Sequence, residues 1–176
     1  GEGAFSPRVG VTYGLAPRTT LRAGWGRFHQ SQSINELQIA DGVLRYFPPQ
    51  RAEHAVIALE HAFANGMELR VEAYSKRMRR LRPRFENLLY PLTLLPEMQP
   101  DRVEIEPRSA SARGVEVLVT NRFAAPLTWW ATLGWSRAED ELETGTSLRS
   151  WDQRLAFSGG VALDTTRWNL SLGVVS

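Results

Sequence analysis

Glu68, Arg70 and Glu72 stand at alternate positions, and Glu60 and Glu116 recur in similar alternating surroundings. On an extended chain that spacing places carboxylates and guanidinium on one face. Paired carboxylates can exchange protons in acid–base chemistry; interleaved with arginine along a wall, they more often neutralise one another. The histidines add little to a catalytic reading. His54 and His61 are seven apart, so on a strand they point to opposite faces about 20 Å or more from each other, which excludes a shared metal. His29 stands alone, and His61 reads as a side chain near a turn. No Gly-x-Ser-x-Gly occurs, no Ser–His pair has an acid at readable spacing, and cysteine is absent, which removes disulfides, zinc knuckles and thiol nucleophiles. No catalytic residue, metal ligand or cofactor is predicted. A different chemistry is offered by Tyr46, Phe47, Phe85, Tyr90 and Trp151, rings set among arginines in the longer connectors. Stacking and cation–π contact suit ligand capture, although packing of the loops on themselves is the plainer use.

These groups must be positioned by strands. Eight stretches alternate apolar with polar residues, giving an all-β, antiparallel up-and-down meander. Met67, Leu69, Val71 and Ala73 oppose Glu68, Arg70, Glu72 and Tyr74 in the cleanest of them. The same division runs through Val9, Val11 and Tyr13; Leu21, Ala23 and Trp25; Ala55, Ile57 and Leu59; and Val115, Val117 and Val119. It continues in Leu127, Trp129, Ala131, Leu133 and Trp135; Leu155, Phe157, Val161 and Leu163; and Trp168, Leu170, Leu172 and Val174. Trp130 breaks the separation by falling on the polar side. Connectors alternate in length. Gly14 to Arg18, Asn65-Gly66, Phe123 to Pro126 and Asp164 to Thr166 are short; Phe28 to Gln50, Arg79 to Ser111 and Ala138 to Arg149 are long. Asn65-Gly66 predicts a two-residue type I′ hairpin.

Short turns at one end and long loops at the other are the habit of a transmembrane β-barrel. Alternation alone fits a soluble sandwich equally well. Three observations favour the bilayer. Several strands reach the ~9–11 residues needed to cross it obliquely. The polar faces are rich in Gly, Ser and Thr with mixed charge. Finally, Tyr13, Phe63, Phe123, Trp129 and Trp168 fall on the apolar face close to the short turns, where a membrane–water interface selects rings.

Composition agrees with one domain over 1–176, 43% hydrophobic, with no apolar run of about 18 residues for a transmembrane helix. A mean hydropathy of -0.30 suits strands that alternate. The net charge of +2 is the difference between 21 basic and 19 acidic residues. Its one local excess, Lys76-Arg77-Met78-Arg79-Arg80 with Arg82 and Arg84, is followed by Glu86, Glu97, Asp101, Glu104 and Glu106. That context argues against nucleic acid and for a solvated rim touching anionic lipopolysaccharide. No cleavable export signal opens the chain and no terminal aromatic closes it, so an interior slice of a larger barrel is expected.

Several local sequences resemble the barrel of TonB-dependent outer-membrane receptors. Pro49 to His54 leads into Ala58-Leu59-Glu60-His61-Ala62-Phe63 and Asn65-Gly66, like a strand pair of that family. Leu69 to Tyr74, Leu81 to Asn87 and Ala112-Arg113-Gly114-Val115-Glu116 are similar to its partner strand, loop and recurrent strand start. Ser136 to Asp140 and then Arg149-Ser150-Trp151-Asp152-Gln153-Arg154 resemble its loop and descending strand. The resemblance implies a 22-stranded bacterial outer-membrane barrel around an N-terminal plug. Such a barrel takes up scarce nutrients such as iron–siderophore complexes, with energy relayed from an inner-membrane complex through the plug. Expected partners are thus outer-membrane lipid, the plug, the coupling complex and a small-molecule ligand, with no nucleic acid. Glu60, Glu68, Arg70, Glu72 and Glu116 would face the lumen. A small structural barrel or adhesin, and a soluble β-sandwich binding module, are the competing readings.

Overall fold

The computed structural model describes residues 4–33, 45–87, 89, 98, 100–121, 126–149, 152–165, 167 and 169–176. Eight strands follow one another as a meander: β1 (Arg8–Ala16), β2 (Thr19–Gln30), β3 (Gln50–Ala62), β4 (Met67–Arg79), β7 (Ser109–Asn121), β8 (Leu127–Leu142), β10 (Leu155–Asp164) and β11 (Asn169–Val175). Each pairs antiparallel with the next, in the order β1-β2-β3-β4-β7-β8-β10-β11. A 13-residue strand such as β4 is about 43 Å long at ~3.3 Å per residue. Inclined at 45° its whole length, charged far end included, rises about 30 Å.

Register carries the alternation across the sheet. Tyr13, Leu21, Leu59, Val71, Val117, Leu133 and Phe157 form one transverse row of apolar partners. Val11, Ala23, Ile57, Ala73, Val115, Trp135 and Leu155 form the next. Strands whose side chains match across so many partners cannot slip by one residue without inverting every face.

The core sits on the unexpected side for a soluble protein. Ala58, Ala110 and Ala138 are the buried hydrophobic residues among those described, and all lie on the polar face. On the apolar face Val11 is 61% exposed, Ile57 50%, Leu133 54% and Leu172 65%. Among the described residues no second layer covers that face, because each strand of the meander touches only its neighbours. A sandwich would have buried these rows. Nor do β1 and β11 pair, which a closed eight-stranded barrel would require.

Two departures from the predicted pattern concern loops. The span after β4 contains a hairpin, β5 (Arg84–Asn87) with β6 (Arg102–Ile105), and β8 runs on past Ala138 to pair with β9 (Gly145–Leu148). The Asn65-Gly66 turn is also not type I′. Among the described residues only Gly66 of that turn has positive φ, at 84°. Phe63 N–H donates to Met67 O at 2.8 Å and Gly66 N–H to Phe63 O at 3.2 Å, closing a longer loop with the glycine as its left-handed residue.

Glycines on the polar face make room for rings. A Cβ on Gly114 would lie 2.6 Å from Trp135 O and 2.8 Å from the Tyr74 ring, its cross-strand partner. Gly160 stands in the same relation to Trp130, with Nε1 at 2.7 Å from such a Cβ. Trp130 is on the polar side because Gly160 leaves it a berth there.

Candidate functional site

The charged residues singled out by spacing are brought together. Glu60 on β3 opposes Arg70 on β4, Glu72 opposes Glu116 on β7, and Glu68 opposes Thr120. Arg22 Nε on β2 donates to Glu60 Oε2 at 3.0 Å. Arg70 reaches both ways, with Nη1 3.8 Å from Glu60 Oε1 and Nη2 donating to Glu72 Oε2. The result is an ionic ladder running across β2, β3 and β4, with Glu116 of β7 opposite its last member. Its members are a third to a half exposed, so each pair is worth at most about 1 kcal/mol. Glu72 and Glu116 face each other with Arg70 as the cation beside them, around a recess of about 200 Å³ that Leu118 completes. A second recess of about 450 Å³ continues toward the short-turn end past Thr20, Glu68 and Thr120. The ladder is a wall with surplus negative charge.

A further recess, of about 520 Å³, was not anticipated from spacing. It lies at the long-loop end and is lined by Phe28 and Gln30 of β2, Gln50 and His54 of β3, and Lys76 and Met78 of β4. Register explains the grouping, since Phe28, Ala52 and Met78 share one row and Gly26, His54 and Lys76 the next. The Tyr74 ring meets His54 edge-on at 6.2 Å, and the Arg8 guanidinium lies 4.6 Å over Phe28. An apolar floor with cationic and amide edges suits a compact anionic or oxygen-rich ligand. Phe28, Gln30 and Gln50 fall in the connector predicted from Phe28 to Gln50, so spacing did not group them with His54 and Lys76.

Two strands along the sheet from Met78, in the same transverse row, Asp140 of β8 is 2% exposed. Its carboxylate accepts from Arg84 Nη2 of β5 at 2.6 Å and Arg149 Nε at 3.0 Å. Asp152 in turn accepts Ala138 N–H at 2.6 Å and Arg154 Nε at 2.6 Å. Arg149 and Asp152, taken from sequence as one motif, therefore secure the projecting part of β8 at two points.

The predicted ligand-contact rings do not form one group. Phe85 sits on the β5–β6 hairpin with Arg102 stacked 5.0 Å from its centroid. Tyr46 and Phe47 are exposed before β3, Phe47 N–H donating to Gln32 Oε1 at 3.0 Å. Tyr90 and Trp151 lie outside the described residues. Of the interface rings, Tyr13 and Phe63 are exposed and Trp129 is half-buried, all near the short turns. Phe63 meets His61 edge-on at 4.5 Å, and His61 Nδ1 lies 2.8 Å from Thr19 Oγ1. Phe123 and Trp168 lie outside the described residues.

The fold is shared with solved outer-membrane receptors. The ferripyoverdine receptor of the outer membrane of Pseudomonas aeruginosa, bound to ferripyoverdine, matches with a TM-score of 0.67 at 15% identity over 99% of this chain and 23% of its own. The alcaligin outer-membrane receptor FauA from Bordetella pertussis gives 0.64 at 16% identity, over 99% and 29% respectively. The copper transporter OprC gives 0.64 at 16% identity, over 97% and 25%. The chain thus spans about a quarter of the length of these proteins. No curated protein matches the sequence significantly. The family model described as TonB dependent receptor-like, beta-barrel, matches residues 1–176, and the chain belongs to that family.

Proposed function

We propose that residues 1–176 form an incomplete barrel segment of a bacterial outer-membrane receptor for energy-coupled uptake of a scarce nutrient, a metal–siderophore chelate above all. The observation that carries the reading is the single layer, with one uncovered apolar face in register over the strands and one charged, recessed face behind it. Lipid supplies a cover for the first face that no protein layer among the described residues provides. Glu60, Glu68, Arg70, Glu72 and Glu116 then face the lumen, and their excess of carboxylates suits arginines of an N-terminal plug. That plug, and through it an inner-membrane complex, belongs to the mechanism at the family level. Tyr13, Phe63, Phe123, Trp129 and Trp168 anchor the periplasmic interface. The ligand enters from the long-loop end, where the Phe28–His54–Lys76 recess and the loop rings Tyr46, Phe47, Phe85, Tyr90 and Trp151 meet it. The related receptors' ferripyoverdine, alcaligin and copper point to a metal or its chelate. No residue catalyses a reaction.

Binding to the full-length receptor tests this. A panel of ferric siderophores and free metal ions, titrated by quenching of tryptophan emission, should yield one ligand of micromolar affinity or better. Lys76→Glu should weaken an anionic chelate at least tenfold. A receptor that binds no member of the panel, or one that stays monodisperse without detergent, would refute the proposal.

A further inference from the structure

The basic run Lys76–Arg80 is divided by strand alternation. Lys76 and Met78 enter the recess described above, whereas Arg77 and Arg79 lie on the apolar face, continuing the line of Val71 and Ala73 beyond the last apolar row. Three further rows lie there, toward the long loops. The first is Trp25, Ala55, Ser75, Arg113 and Arg137; the second Arg27, Glu53, Arg77, Ser111 and Glu139; the third His29, Arg51, Arg79, Ser109 and Glu141.

Two features of these rows are unfavourable for the protein alone. Arg51 stands directly across from Arg79, and Arg113 directly across from Arg137; like charges opposed on a ladder repel. The available carboxylates are also taken. Glu53 is held by Arg27 and Arg51, Glu139 by Arg137, and Glu141 Oε2 accepts the Ser109 hydroxyl at 2.6 Å. Among the described residues no carboxylate lies within ion-pair distance of Arg77, Arg79 or Arg113, all of which are exposed. The guanidiniums gather where the apolar band ends, which is the depth of lipid headgroups on the membrane reading above.

We infer that this belt binds the phosphates of a bisphosphorylated glycolipid in the outer leaflet. Guanidinium forks match phosphate oxygens and lose little by leaving water, and an anion between opposed arginines turns their repulsion into shared attraction. The cations span β3, β4, β7 and β8, about 15 Å at ~4.8 Å per strand. One phosphate cannot bridge that width, whereas a disaccharide bearing a phosphate at each end can. Ser75 and Ser111 place hydroxyl donors within the same rows.

The inference rests on the apolar face being outside, and its test separates the two. Native mass spectrometry of the full-length receptor in neutral detergent would follow binding of bisphosphorylated lipid A, its dephosphorylated form, and phosphatidylglycerol. Wild-type protein should prefer the bisphosphorylated lipid strongly over both others, with the preference shrinking at high salt. With about fivefold per surface cation, the R77Q/R79Q/R113Q variant should lose roughly a hundredfold in affinity, R77K/R79K/R113K should retain most of it, and K76Q should be unaffected. Equal binding of the three lipids by wild-type protein, which needs no variant to fold, overturns the inference. So does a triple glutamine variant that binds like wild type. Loss confined to K76Q would mean that the faces are inverted, so that the membrane reading falls with it.

Discussion

Gly114 and Val71 show how differently single residues on the two faces are constrained. Gly114 has an ordinary φ, yet a Cβ there would strike Trp135 O and the Tyr74 ring within 3 Å. The oxygen belongs to a paired backbone and cannot retreat. Gly114→Val is expected to destabilise the barrel by about 2 kcal/mol, within the usual range for overpacking, and Tyr74→Ala combined with it should recover only part. The midpoint of the heat-induced shift in gel mobility of the full-length receptor measures this. On the opposite face Leu69 and Val71 meet lipid on the proposed reading. Val71→Arg, deeper in the apolar band than Leu69, should then cost about 2–4 kcal/mol of membrane stability, while Glu72→Ala, on the ionic ladder, should cost under about 1 kcal/mol. Fractionation and folding yield in vesicles would distinguish them, and the reverse order would mean that the faces have been exchanged. These faces were legible in the sequence because parity along a strand is a local property. Parity also put Trp130 on the polar side, but what accommodates it there was not legible, because Gly160 is a partner 30 positions away that only register identifies.

The long strands follow from the alternation almost directly, but β5, β6 and β9 do not. Each has four residues, too few for a periodic signal to rise above chance. What fixes the β5–β6 hairpin is remote in sequence: Arg84 reaches Asp140, which Arg149 also holds. Asp140→Asn removes the charge that both arginines share. Breaking such a buried pair costs about 3–5 kcal/mol when fully enclosed, and roughly 2 here because Arg84 is partly exposed. That loss should be local. Amide exchange in 84–87 and 102–105 should accelerate at least tenfold with β3 and β4 unchanged; uniform acceleration across the sheet would mean that Asp140 stabilises the wall and not the hairpin. The Asn65-Gly66 turn carries a similar lesson. The dipeptide marked the bend correctly, but its type was set by Phe63 and Met67 closing the loop around it.

For the molecule as a whole, the meander and its single layer were foreseeable, whereas the ligand recess was not. Phe28, Gln30 and Gln50 fall in the connector predicted from Phe28 to Gln50, and their grouping with His54, Lys76 and Met78 depends on register. The sheet leaves one side of β1 and one side of β11 unpaired, and unpaired backbone groups are costly in lipid. In the full-length receptor the outward amides of both strands should therefore exchange slowly, as ladder amides do. Fast exchange at both edges in vesicles would contradict a continuous barrel wall. The 16 residues of β8 have a mechanical consequence. Trp129 near one margin and Asp140 beyond the other belong to a single unbroken backbone, and the β5–β6 hairpin is fastened to its upper end. A force on the hairpin is therefore carried through Arg84 and Asp140 into a strand of the sheet itself.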